Sequence, residues 1–477
     1  MAPRVLVLAS EVVPLPGLPT NGGGMRGWTL ARGLEAAGCD VTLLFPRHAL
    51  DDLGPAVAPA AREAALPHTF AWRDVAAVAA RAPDCVVCCS WALAAELGPC
   101  PVPLAVDVAG PVLLEFLYQG AAKGAALAHR KPLGLAHADF VTCAGERQRA
   151  YFYPWLLLAG FAPDDLRDRV AVVPISAAPG GAYRPRHNAE PRLVFAGLAV
   201  AWQDPALPLA VAAETLARRG RGTLDVYAIR HPVHSAGATW VDRLRAGVAG
   251  NERVAIHDGA PLPYDDLLAI YRDADLAVDL FARNAERELA FNTRTVDYLA
   301  AGLPVLYSDY AELASPIAEH SAGLLVAPDD PAAIAAALAC ALDDPARLAA
   351  MGAAARRLVD ARLTWDRTVA PLAAWCAAPT RRAPGPLGPI TLVPELARRA
   401  EYLEGRNAEL EGQVAARGAY AARVERAWAE QGARAEELAG RAAALDADLT
   451  RRRARPWRTA LGQTLDGARA RLGRRPR

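Results

Sequence analysis

Two stretches of this 477-residue chain carry residue types at spacings that suit phosphate chemistry. The first is Gly22-Gly-Gly-Met-Arg-Gly27, ahead of an apolar helical pattern. N–H groups at a helix start have no partner inside the helix and sit at the positive end of its dipole, so Gly22, Gly23 and Gly24 could approach an anion. The same glycines would also suit a loop that only needs positive φ. The run matches G-x-G-x-x-G, but the preceding apolar strand ends near Ala9, too early for the tight turn of a dinucleotide site. The second strand closes on Phe45-Pro46-Arg47, with no acid for a ribose, so a nicotinamide cofactor is not expected. The second stretch is Phe291-Asn-Thr-Arg-Thr-Val-Asp-Tyr-Leu-Ala-Ala-Gly-Leu-Pro-Val305. It places a helix start near Asn292, Thr293 and Thr295 and a helix end at Gly302. That start suits a diphosphate, Arg294 could add a charge-assisted hydrogen bond, and Asp297 could accept ribose hydroxyls. A capped helix with Asp297 as a surface acid satisfies the same spacing.

The elements that would position these residues alternate in type. Apolar runs at Arg4–Ala9, Asp40–Phe45, Asp84–Cys89, Val102–Val108 and Phe140–Cys143 read as strands. A second set follows at Arg192–Leu198, Thr223–Ile229, Arg253–His257, Asp275–Phe281, Leu303–Ser308 and Gly323–Val326. Helical patterns such as Trp28–Ala37 and Pro331–Leu342 lie between them. Strand–helix alternation argues for parallel sheets covered on both faces. The expected fold is α/β, two Rossmann-like domains over residues 1–175 and 176–376, with a seam in Pro174–Pro185 and a cleft as the ligand site.

The order and spacing of several segments resemble a retaining GT-B glycosyltransferase of family 4, over about residues 3–375. In the first half these are Val12-Val-Pro14, Gly22-Gly-Gly-Met-Arg26, Leu30-Ala-Arg-Gly-Leu-Glu-Ala-Ala-Gly38, Asp40-Val-Thr-Leu-Leu44, Asp107 to Glu115 and Glu146-Arg-Gln-Arg149. In the second they are Phe195-Ala-Gly-Leu198, Trp202-Gln-Asp-Pro205, Tyr271-Arg-Asp-Ala-Asp-Leu276, Asp297-Tyr-Leu-Ala-Ala-Gly-Leu-Pro-Val305 and Leu363-Thr-Trp-Asp366. The resemblance implies a nucleotide-sugar donor on the second domain, a glycan or lipid-linked acceptor on the first, and no metal or other cofactor. It puts Asp297 at the family's ribose-contacting acid and Gly23 and Gly24 near the donor phosphates. The family's other acid lies eight residues earlier, where this chain has Leu289; Glu286 and Glu288 are the neighbouring candidates to orient the sugar. The family's phosphate-binding Lys has no match beside Gln203 and Asp204; Arg283 or Arg294 would substitute, with Arg26 serving the anion from the first domain. The product is expected to be a cell-surface polysaccharide or glycan. The alternative is a non-catalytic scaffold built on a degenerate transferase body.

Composition sets the frame. Hydrophobic residues make up 53%, enough to fill real cores and exclude wholesale disorder. The net charge of +1 conceals a tail, residues 451–477, with ten Arg and one Asp, so the rest sums to −8. The acidic body speaks against nucleic acid as a partner. The tail, with Trp457, suits an anionic membrane surface; a solvated tail or a nucleic-acid contact are the other readings. Five prolines mark residues 377–394 as a semi-extended linker. Residues 395–450 repeat every seven positions. With d at Leu396, Leu403, Leu410, Arg417, Val424, Gln431, Leu438 and Leu445, the a positions run Ala400, Asn407, Val414, Ala421, Trp428, Ala435, Ala442 and Leu449. This predicts a coiled coil and a homo-oligomer; a lone helical hairpin is the alternative. Gly412, Gly418, Gly432 and Gly440 weaken that helix. Cys85, Cys88 and Cys89 fall in an apolar strand and are expected to be structural. His231 and His234 sit in a loop that could touch donor or acceptor. No secretory signal or uncharged apolar run of about 18 residues is visible, so the expected location is cytoplasmic, at most peripheral at the inner face of a membrane.

Overall fold

The computed structural model describes residues 2–454 apart from 55–56, 81–82, 121–123, 125–126, 129, 181–182, 184–187, 231–234, 236–237 and 384–391. The segments with His231 and His234, most of the linker and the tail from residue 455 lie outside the described residues.

Residues up to 397 form one compact unit containing two parallel sheets. The first has seven strands: β1 (Arg4–Leu8), β2 (Asp40–Pro46), β3 (Thr69–Phe70), β4 (Cys85–Cys88), β5 (Leu104–Asp107), β6 (Phe140–Cys143) and β7 (Val170–Val172). The second has six: β8 (Arg192–Leu198), β9 (Thr223–Ile229), β10 (Val254–His257), β11 (Leu276–Asp279), β12 (Val305–Ser308) and β13 (Gly323–Val326). The orders are β3-β2-β1-β4-β5-β6-β7 and β10-β9-β8-β11-β12-β13. The expected α/β class holds, with two strands added to those read from the sequence.

Strand β4 shows why its cysteines are structural. Cys85 and Val87 enter one core with Leu30, Leu34 and Cys376, while Val86 and Cys88 enter the opposite core with Trp91 and Leu135. Period-two burial on both faces is what a central parallel strand requires. In each sheet the strand order reverses beside the first strand, between β1 and β4 and between β8 and β11. Loops leaving those strand ends form the crevice where such sheets bind ligands.

The helices used below are α1 (Gly22–Ala36), α2 (Val112–Gln119), α3 (Arg130–Ala136), α4 (Glu146–Leu158), α5 (Ala206–Arg219), α6 (Tyr264–Asp273), α7 (Ala285–Leu289), α8 (Thr293–Ala300), α9 (Trp365–Thr368), α10 (Ala370–Ala377) and α11 (Leu392–Ala454). Helix α1 begins well before Trp28. Asn21 caps it, its Oδ1 accepting the N–H groups of Gly23 (3.0 Å) and Gly24 (3.2 Å). Gly22 to Gly24 are therefore helical, and positive φ is not their reason.

Where the chain passes between the sheets, its two crossings pair with each other. Ala177 N–H donates to Leu363 O (2.8 Å) and Trp365 N–H to Ala177 O (3.0 Å). Helices α9 and α10 then return to the first sheet, where Val369, Leu372 and Cys376 pack with Val5 and Leu30. The linker opens docked rather than free: Arg382 donates to Asp139 Oδ1 through its backbone (2.8 Å) and to Gly160 O through Nη1 (2.7 Å).

Helix α11 is one continuous helix of 63 residues, so the hairpin alternative does not hold. Its Pro394 lies in the first turn, where a missing N–H costs nothing. No helix among the described residues is long and apolar enough to cross a membrane.

Candidate active site

The second sheet supplies the side of the crevice richest in charge. Strand β11 ends on Asp279, and α7 and α8 follow within a few residues. Asn292 holds the N-cap position of α8 but gives that helix no side-chain hydrogen bond. Its Oδ1 instead accepts Arg287 Nη1 at 2.8 Å. The leading N–H groups of α8 are thus left without a side-chain cap, the condition under which a helix start takes an anion.

Arg294, in the first turn of α8, points back under the strand ends. Nε meets Asp279 Oδ1 at 3.2 Å, Nη1 donates to Ala196 O at 2.9 Å, and Nη2 donates to Gln203 Oε1 at 3.0 Å. The rings of Phe195 and Phe281 lie 5.1 and 4.8 Å from the guanidinium carbon. Gly197 makes this possible, since a Cβ there would sit 1.7 Å from Nη1. Arg294 therefore brings a cation beside Gln203, where the resemblance wanted a Lys. These contacts occupy three of its five N–H donors, and its side chain keeps 12% exposure.

The first domain brings α1 to the same place. A Cβ on Gly22 would lie 3.4 Å from Thr293 Oγ1, so the starts of α1 and α8 face each other. Gly24 is required by close approach: a Cβ there would fall 1.8 Å from Val12 O. Arg26 does not reach the crevice. It is 3% exposed and grips Asp107 through Nε (2.9 Å) and Nη2 (2.7 Å), with Nη1 on Pro174 O. Its expected role toward the donor anion is replaced by a buried ion pair that ties α1 to β5.

Asp297 also lies deeper than a surface acid. It is 5% exposed, and Tyr264 donates its hydroxyl to Oδ1 at 2.8 Å. Burial pushes its carboxyl up to about 7, with Tyr264 and Arg294 pulling the other way. The N–H of the same Tyr264 donates to Leu18 O, fastening α6 to the first domain's loop.

The two candidate sugar-orienting acids differ. Glu286 is 1% exposed and held at both oxygens by Arg287, Nη2 at 2.6 Å. Glu115 on α2 faces that pair from the first domain; burial and then the Glu286 charge push its carboxyl up to about 8, against Arg287. Glu288 is 42% exposed and accepts Arg283 Nε at 2.6 Å. It lines a cavity of about 690 Å³ with Arg147, Tyr151, Arg283, Asp309 and Tyr310. Arg147, on α4, crosses to the second domain and donates to Glu288 O (3.0 Å) and Tyr310 O (2.6 Å). Glu312 caps α4 from the second domain, Oε1 accepting Glu146 N–H at 3.0 Å.

The structure thus brings Gly22, Asn292, Thr293 and Arg294 to the facing starts of α1 and α8, buries Asp297 against Tyr264, and sets Glu288 and Arg283 on a neighbouring cavity. It ties Gly23 and Gly24 to Asn21, Arg26 to Asp107 and Glu286 to Arg287. Sequence reasoning missed Asp279, Tyr264, Arg147, Glu312 and the place of Glu115 opposite Glu286 and Arg287. Asp279 had a signal, an acid closing an apolar strand at the switch point.

Residues 214–374 match a family model described as glycosyl transferase-like. No curated protein sequence gives a significant match. Among solved structures, sucrose-phosphate synthase from Thermosynechococcus elongatus is 19% identical, covering 78% of this chain and 98% of that one at a TM-score of 0.53. A trehalose-6-phosphate synthase is 16% identical, covering 80% and 100% at 0.56. A structure described as trehalose-6-phosphate from E. coli bound with UDP-2-fluoro glucose is 15% identical, covering 80% and 100% at 0.53. The chain has the GT-B fold and carries a glycosyltransferase-like domain in its second half.

Proposed function

We propose that the chain is a retaining, metal-independent glycosyltransferase that moves a sugar from a nucleotide-sugar donor to a glycan or lipid-linked acceptor in cell-surface polysaccharide synthesis. The observation that carries this reading is the uncapped start of α8, facing the start of α1 with Arg294 beneath it. As the bond from sugar to diphosphate breaks, negative charge grows on the leaving oxygen. Preorganised N–H donors and a guanidinium stabilise that charge most where water is excluded. The α8 N–H groups and the two remaining donors of Arg294 supply this from the second domain. Asn21 can release Gly23 and Gly24 toward the same anion. Asp297, with Tyr264, takes the ribose, and Glu288 orients sugar hydroxyls from the cavity it lines. The described fold resembles a structure bound with UDP-2-fluoro glucose, which supports a nucleotide-sugar donor.

Thermal shift against a panel of nucleotide sugars identifies the donor, because a bound ligand raises apparent stability. Transfer or donor hydrolysis is then followed for wild type and Arg294→Ala. Saturable binding without turnover by the wild type would put the scaffold in place of the enzyme. The basic tail is proposed to hold the protein at an anionic membrane surface from the cytoplasmic side, where a lipid-linked acceptor would lie. Equal flotation with anionic vesicles by a chain ending at Thr450 would end that part of the reading.

A further inference from the structure

Helix α11 presents an apolar seam to solvent. Among its a and d residues, Leu403 is 48% exposed, Val414 70%, Trp428 77% and Leu445 65%. A row of large apolar side chains along a helix this long is exposed at a cost unless another surface covers it. What covers it is written in the flanking charges. The g positions of the same heptads hold Arg399, Arg406, Arg434 and Arg441, and the e positions hold Glu404, Glu411, Glu425 and Asp446. Up to residue 446 the charges on one side of the seam are basic and on the other acidic; the last heptad reverses them, with Asp448 at g and Arg453 at e.

We infer that α11 pairs with α11 of a second copy as a parallel, in-register two-stranded coiled coil. In that arrangement each g residue meets the e residue of the following heptad on the partner helix. Arg399 then faces Glu404, Arg406 faces Glu411, and Arg441 faces Asp446, each pair occurring twice by symmetry. An antiparallel pair would set g against g and e against e, Arg on Arg and acid on acid, so the same charges oppose it. Asn407 at an a position acts in the same direction, since facing Asn side chains satisfy each other only in a parallel, in-register pair. The helix glycines fit too. Gly405, Gly412 and Gly440 fall on the outer f row and Gly418 and Gly432 on e, so none opens a gap at a or d. Within one chain Arg406 pairs with Glu409 and Arg441 with Glu437. Those side chains are exposed and can turn toward the partner at little cost. Arg417 and Gln431 interrupt the d row, dividing the seam into three stretches, the middle one holding Ala421, Val424 and Trp428.

The inference stands apart from the catalytic reading and is tested on the full chain. Sedimentation should give a dimer, twice the chain's 50.4 kDa. With exposed Cys340 changed to Ser, Ala400→Cys and, separately, Ala442→Cys should each form a covalent dimer on mild oxidation. Arg406→Glu with Arg441→Glu should weaken dimerisation at least tenfold, and adding Glu411→Arg and Asp446→Arg should restore it. A monomer at tens of micromolar, a trimer, or cross-linking only between Ala400→Cys and Ala442→Cys chains in a mixture would overturn the inference. So would charge reversal without effect or without rescue.

Discussion

Each half of the body sets an arginine, an aspartate and a threonine at the carboxyl edge of its sheet, and the two triads are bonded differently. In the first half Arg26 grips Asp107 with two parallel hydrogen bonds, and Thr142 Oγ1 donates to the same carboxylate at 2.6 Å. In the second half Arg294 gives Asp279 one bond of 3.2 Å and spreads its other contacts over Ala196 and Gln203, while Thr295 holds Asp279. Both arginines spend three of their five N–H donors, Arg26 on Asp107 and the Pro174 carbonyl, but Arg26 is only 3% exposed. Arg294 keeps 12% exposure, with its three bonds spread over three different residues. Exposure, and not the number of hydrogen bonds, separates the two arginines.

The largest way to break this contrast is Arg26→Ala. It leaves Asp107 buried and unpaired, with an expected loss of about 3–5 kcal/mol in urea unfolding. Replacing both partners, Arg26→Met with Asp107→Leu, should recover most of that stability and leave donor binding intact. Gly24→Ala comes next. The clash with Val12 O should cost about 1–3 kcal/mol and loosen the loop before α1 without removing any charge. Arg294→Ala should lower turnover at least tenfold, about 1.4 kcal/mol in the barrier, in protein that remains folded.

The most gradual effect expected is a pH slope, at most about 1.4 kcal/mol per unit of pH for one group. Folded Asp297 keeps its proton up to about pH 7, whereas an unfolded Asp releases it near about 3.9. Between those values the folded state binds more protons, so this group's contribution to stability falls as pH rises. Asp297→Asn should flatten Tm against pH between about 4 and 8, leaving the part due to Glu115, which has the same sign. An unchanged profile would show that Asp297 is not the group held protonated.

The body's strands were legible because their apolar runs are bounded by turn residues; Phe140–Cys143, Arg192–Leu198, Thr223–Ile229 and Gly323–Val326 match residue for residue. Strands β3 and β7, two and three residues long, are too short to show a period. The start of α8 was legible because a strand, a helix start and a glycine stop adjoin in sequence. Arg26 showed no sign of its pairing, for the opposite reason. Its partner Asp107 is 81 residues away, and the glycine run beside it suggested an anion. Glu312, which caps α4 from 166 residues away, leaves no local trace either.

Arg294 is proposed to serve the donor and Arg26 to serve the fold. The most direct measurement is turnover of the nucleotide sugar found by thermal shift, in Arg294→Ala and in the Arg26→Met, Asp107→Leu double variant, both shown to be folded. The expected result is at least a tenfold loss in the first and near-wild-type turnover in the second. Turnover that survives in Arg294→Ala, or collapses in the folded double variant, would contradict it.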